Sequence, residues 1–261
     1  MDLSPTTHAL TPYEQIALQE MHAWQQKMTR EPSLGSQLAK NVQDKLGNLI
    51  PEKAHEIITG AIKQMVRGVL TGSEFISGGP FLDATLEERE ARVRDKIGNY
   101  RKMGAASGAF TGAGGLLLGL ADFPVLLGLK MKMLFDIGNL YGYPVSDFPE
   151  RLYILHIFQL SFCSPERRLL TYDQMLHWED RAGTRPADIH SFDWRTFQQE
   201  YRDYIDLAKL LQLVPGIGAV VGAVANHRLV DRLGDTAMQA YRLRLLKPPG
   251  FEMGGGLVIG Q

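Results

Sequence analysis

Helical periodicity dominates the pattern of apolar positions along the chain, and strand-like alternation is almost absent. Thr11-Pro12-Tyr13-Glu14 reads as a capping box with proline in the first turn, opening a helix to about Arg30. Ser33 can cap a second helix to about Ile50, and Pro51 opens a third. The stripe of that third helix is Ile57, Ile58, Ile62, Met65, Val69 and Leu70. Gly72–Pro80 breaks the pattern, and Thr85-Leu86-Glu87-Glu88 is a second capping box. The helix it opens is charged at first. It places Val93, Ile97 and Tyr100 on one face, which continues through Gly104, Gly108, Gly112, Gly115 and Gly119. Asp122 is placed to cap a following helix with Pro124 in its first turn and Leu126, Leu129, Met133, Ile137 and Leu140 as its stripe. Tyr141-Gly142-Tyr143-Pro144 is a stop signal.

Further helices are expected over Pro149–Phe162, Pro165–Arg181, Asp193–Leu213 and Pro215–Leu246, with a loop over Gly183–Ser191. The fold class is therefore all-α: a multi-helix bundle of about eight to ten helices with two glycine-rich apolar segments. Residues 1–10 read as a flexible N-terminus, 11–246 as a single all-α domain and 247–261 as a Gly/Pro-rich tail.

The two glycine-rich segments, 103–121 and 213–225, carry no charge. Glycine within a helix costs about 1 kcal/mol relative to alanine, so several on one face need a compensating gain. Close backbone approach is the usual one. From Pro215 the second face runs through Gly218, Gly222, Asn226, Leu229, Leu233, Ala237 and Ala240, with Arg228, Asp231, Asp235 and Arg242 expected opposite. Asn226 should then point toward packed protein, where its amide needs partners. Three arrangements fit these segments: a tight soluble core, a hairpin lying in or reversibly entering a bilayer, or backbone in contact with a ligand. Met103–Ala121 is 19 residues long, near the minimum for a span, but its apolarity is modest. As a cap Asp122 is structural; in a hairpin facing lipid it would be expensive and hence functional.

Composition narrows the choice. Of 261 residues, 44% are hydrophobic and 22% charged, which excludes bulk disorder. With 28 basic and 29 acidic residues the net charge is −1, so nothing draws the whole molecule toward nucleic acid. The mean hydropathy of −0.14 argues against multi-pass insertion. The N-terminus lacks a signal-peptide pattern, and the single Cys163 calls for no oxidising compartment; a cytoplasmic protein follows.

The chemistry is sparse. None of the seven histidines has a second histidine three or four residues away, so no metal site is expected. His55-Glu56-Ile57-Ile58-Thr59 imitates the zinc-protease helix, but Thr59 stands where the second ligand belongs. Gly216-Ile217-Gly218 with Gly222 imitates a dinucleotide loop at the wrong spacing, with no βαβ unit around it. Cys163 precedes Ser164-Pro165 at a helix start, a place that can lower a thiol pKa, but a buried structural cysteine is the better reading. No nucleophile elbow or Walker loop occurs, and no cofactor is implied.

The run LADFPVLLGLKMKMLFDIGNLYGYPVSD (120–147) resembles the EcsC family of bacterial proteins. So do residues 207–246, with their Pro-x-x-Gly-Ala…Asn segment, and IPEKAHEIITGAIKQM (50–65); together the resemblance spans most of 13–246. The matching positions are Asp122, Phe123, Pro124, Tyr141, Gly142, Pro215, Gly216, Gly218, Gly222 and Asn226. The resemblance supplies no active site. It implies a membrane-proximal accessory protein linked to ABC transport or secretion, without catalysis, peripheral to the inner membrane and partnered by a membrane surface or membrane protein complex. An alternative is a hydrolase acting on lipid or peptide, with a site among His55, Asp122, Cys163 and Asn226. A soluble protein-interaction module is another.

Overall fold

A computed structural model describes residues 9–30, 52–72, 75–76, 78–111, 123–163, 165–184, 188 and 219–246. For 52–55, 104–111, 165–166, 184 and 219–226 the description is of the backbone alone. Among the described residues there are seven α-helices, a single 3₁₀ turn and no strand. The helices are α1 (Pro12–Thr29), α2 (Glu52–Thr71), α3 (Leu86–Thr111), α4 (Phe123–Leu140), α5 (Phe148–Phe162), α6 (Pro165–Leu176) and α7 (Ala219–Leu246). The helices expected over 33–50 and 193–213 lie outside the described residues, as do 112–122 of the first glycine segment and 213–218 of the second.

Both capping boxes form. The Glu14 amide donates to Thr11 Oγ1 at 3.2 Å while the Thr11 amide donates to Glu14 Oε2 at 2.8 Å. Thr85 and Glu88 repeat the exchange at 3.3 and 2.9 Å. Each satisfies donors that a helix start otherwise leaves open. At the far end of α1, Arg168 of α6 donates to the carbonyls of Met28 and Arg30 at 3.2 and 2.6 Å, a cation on the negative end of the helix dipole.

The stop after α4 is a Schellman turn. The Tyr143 amide donates to Gly138 O at 3.0 Å and the Gly142 amide to Asn139 O at 2.9 Å, with Gly142 at φ +89°. A Cβ there would stand 3.3 Å from Phe81 O and collide with the Arg89 guanidinium. Gly142→Ala is therefore expected to destabilise the protein by about 1–2 kcal/mol. Gly142→Asn, which tolerates left-handed backbone better, should lose less. Urea unfolding midpoints check both, and equal stability of the alanine variant would refute the account.

The expected apolar stripes are buried: Ile58, Ile62, Met65, Val69 and Leu70 on α2, Val93 and Ile97 on α3, Leu126, Met133 and Ile137 on α4. Helices α4 and α5 are buried on nearly every side and form the centre. Helix α7 packs on α3, α5, α1 and α4, while α2 covers α4 and α5, and α6 lies on α5 and α1. α6 ends at Leu176 rather than near Arg181, because Trp178 turns inward onto Tyr153 and His156, with ring centroids 5.0 and 5.5 Å away.

Helix α3 runs antiparallel to both α4 and α7. Along α3, Glu90 meets Arg242, Ile97 meets Gly234 and Arg101 meets Asp231, so the numbers fall on α7 as they rise on α3. Toward α4, Glu90 meets Tyr141 and Tyr100 meets Asp136. The C-terminal end of α3 and the N-terminal ends of α4 and α7 therefore share one end of the bundle. Close approach at a glycine occurs at Gly234, outside the two glycine-rich segments, where a Cβ would lie 2.5 Å from Ile97 Cδ1. Gly98 and Gly128, by contrast, face open space.

Candidate functional site

Two polar centres lie inside the bundle. In the first, Glu90 is wholly buried and its carboxylate receives five bonds. Arg242 grips it through Nε to Oε1 and Nη2 to Oε2, both at 2.6 Å. Tyr13 donates to Oε2 at 2.6 Å, Tyr141 to Oε1 at 3.0 Å and Arg94 to Oε2 at 3.1 Å. The remaining nitrogen of Arg242, Nη1, reaches Glu20 at 2.6 Å. Burial alone would push the Glu90 carboxyl up. The bonds from Arg242, Tyr13 and Tyr141 and the Arg242 charge outweigh it, so its pKa lies below the ordinary carboxylate value.

The second centre is built on Arg244. It forks onto Glu150 at 2.6 and 2.8 Å, reaches Glu179 at 2.6 Å, and lies 3.8 Å over the Tyr143 ring and 4.6 Å over Tyr153. Tyr241 stacks between Tyr141 and Tyr143 beside it. Its hydroxyl fills the place a side chain at Gly138 would take, 2.7 Å from that Cβ position. Burial pushes the Tyr143 hydroxyl up to about 12 and His156, nearby, down to about 4. Both centres are closed pairs of fork and carboxylate rather than open clefts. They lock α1, α3, α5 and α7 in register.

Sequence reasoning misplaced Arg242: expected on the solvent side of α7, it is 2% exposed. The arginine follows its bonded partner, Glu90, into the core. A signal existed, since Glu90 interrupts the stripe Leu86–Val93–Ile97 and Arg242 sits between Tyr241 and Leu243, all of them buried.

The third polar region lies along α3, α4 and α7, below their shared end. Asp136 accepts from Lys132 at 2.6 Å, Tyr100 at 2.9 Å and Lys96 at 3.2 Å. Arg101 pairs with Asp231 at 3.1 Å. Lys130 is buried in a narrow cleft lined by Tyr100, Leu126, Leu129, Met133 and Val230, where burial pushes its amine down to about 8. Beyond these pairs, Met103 and Val125 are exposed, and so are the cations Lys102, Arg228 and Arg232.

Of the residues singled out in the sequence, Tyr141 and Gly142 belong to the Glu90 centre and its flanking turn. Pro124 is exposed in the first turn of α4, as expected. Cys163 ends α5, buried, its thiol donating to Leu160 O at 3.4 Å. His55, Gly222 and Asn226 lie on the backbones of α2 and α7, their side chains outside the description. Asp122, Pro215, Gly216 and Gly218 lie outside the described residues.

A sequence model of the EcsC protein family matches residues 15–246. The chain belongs to the EcsC protein family. It is 42% identical over 239 residues to Protein EcsC of Bacillus subtilis (strain 168), covering 91% of this chain and 98% of that one. It is also 28% identical over 211 residues to the uncharacterized protein YdbA of the same organism, covering 78% of each. No solved structure matches. The EcsC resemblance in 120–147 covers α4 and its Schellman turn, and that in 207–246 covers α7, the two helices that meet at the shared end.

Proposed function

We propose that this EcsC-family chain is a non-catalytic accessory protein that works at a membrane surface, through the end of the bundle shared by α3, α4 and α7. The observation that carries the reading is the convergence of these helix ends. Residues 103–121 follow directly on Arg101-Lys102 of α3, and 213–225 lead into α7, so both charge-free stretches adjoin one end. Exposed Met103 and Val125 add apolar surface there. No helix among the described residues is long and apolar enough to cross a membrane, and the role we propose is peripheral. In such a role the partner is the cytoplasmic face of the inner membrane or a complex embedded in it, such as a transporter or secretion system.

Vesicle flotation tests this. The protein is expected to rise with phospholipid vesicles. Replacing Met103 and Val125 together by serine should weaken partitioning about tenfold or more, each buried apolar side chain contributing roughly 1.5–3 kcal/mol. Retention in the aqueous fraction with every vesicle composition would overturn the reading.

A further inference from the structure

We infer that the surface met by this end is an anionic phospholipid leaflet, and that Lys102, Arg228 and Arg232 are the residues that engage its phosphate headgroups. The inference rests on the membrane reading above and names its partner.

The charges at this end are lopsided. Over residues 95–111, 123–136 and 227–235 the chain carries Lys96, Arg101, Lys102, Lys130, Lys132, Arg228 and Arg232 against Asp95, Asp136, Asp231 and Asp235, although the whole protein has a net charge of −1. Most of the neighbouring cations are committed within the protein. Lys96 and Lys132 serve Asp136, Arg101 serves Asp231, and Lys130 is buried. Lys102, Arg228 and Arg232 are exposed and have no ion-pair partner among the described residues.

Their height on the bundle is set by the Arg101–Asp231 pair. At about 1.5 Å of rise per residue, Lys102 and Arg232 lie within about 2 Å of that level and Arg228 about 4.5 Å beyond it. The three cations thus occupy a layer about 6 Å deep, just below the charge-free segments. A headgroup layer is of similar depth, about 5–8 Å per leaflet. The exposed apolar side chains of Met103 and Val125 beyond a layer of cations make the arrangement that an anionic interface selects.

Flotation of the full chain with phosphatidylcholine vesicles, and with vesicles containing phosphatidylglycerol, tests the inference at low and at high salt. Binding is expected to be much stronger on the anionic vesicles and to fall steeply as salt screens the charges. The triple variant Lys102→Gln, Arg228→Gln, Arg232→Gln should lose about fivefold per charge, roughly 100-fold in all, on anionic vesicles, and little on neutral ones. Its thermal melting should match the parent, because all three side chains are exposed. Equal binding to both vesicle types, or an unaltered triple variant, overturns the anionic inference while the membrane reading stands. Absence of binding to either vesicle type overturns both.

Discussion

Glu90→Leu is expected to lower the free energy of unfolding by about 3–5 kcal/mol, a large share of the stability of an ordinary domain. The substitution leaves the Arg242 guanidinium buried with only Glu20, itself about half exposed, and removes the acceptor of Tyr13 and Tyr141. A buried pair is costly to break because the orphaned charge keeps its desolvation penalty and loses its partner. The same logic makes the double variant Glu90→Leu, Arg242→Met markedly more stable than the single one, since the leftover charge goes too. Chemical denaturation of the parent, both single variants and the double variant closes the cycle. Additive losses would show that the pair is not coupled. The acid limb carries the same signature. The folded pKa of Glu90 is depressed, so its contribution is present above the unfolded value of about 4.3 and is lost as pH falls through the folded one. Glu90→Leu should flatten that part of the stability curve.

Lys130→Met should abolish a pH dependence of stability that the parent carries between about pH 8 and 10.5, worth up to about 3 kcal/mol across that window. That figure follows from the fall of the lysine amine from 10.5 to about 8, caused by burial. The amine donates to the Leu126 carbonyl at 3.5 Å in a cleft lined by Tyr100, Leu129, Met133 and Val230, where burial disfavours its charged form. Between about 8 and 10.5 the unfolded chain binds more protons than the folded one, so stability of the parent rises with pH across that window. Relative to the methionine variant the parent should therefore gain stability from neutral pH toward pH 10. Unfolding midpoints of parent and variant at pH 7 and near pH 10 measure it. A stability difference between parent and variant that is the same at both pH values would refute the account.

Much of the architecture was legible along the chain because it depends on neighbours in sequence. Thr11 and Thr85 bind amides three residues on, and Gly142 alone supplies the left-handed turn after α4. The stripes of α2, α3 and α4 lie three and four residues apart, and that spacing places them on one face whatever the partner. The shortened α6 was not legible, because Trp178 answers to Tyr153 and His156, more than twenty residues back.

The candidate surface was half legible. Two charge-free segments, one between Lys102 and Asp122 and one just before Arg228, are plain in the letters. That they adjoin a single end of the molecule follows from α3 lying antiparallel to α4 and α7. Periodicity ranks a residue by its own polarity, and so it turned Arg242 outward. Its burial was decided by a carboxylate 152 positions away.

The sequence by itself determined the apolar stripes of α2, α3 and α4, the caps at Thr11 and Thr85 and the two uncharged stretches, since these follow from propensity and spacing within a few residues. Tertiary structure alone decided which charges are spent inside the bundle, at Glu90–Arg242 and Glu150–Arg244, and which are left facing outward at Lys102, Arg228 and Arg232. A charge is stable in the core only when its partner arrives from another helix, and that meeting is set by packing rather than by local sequence.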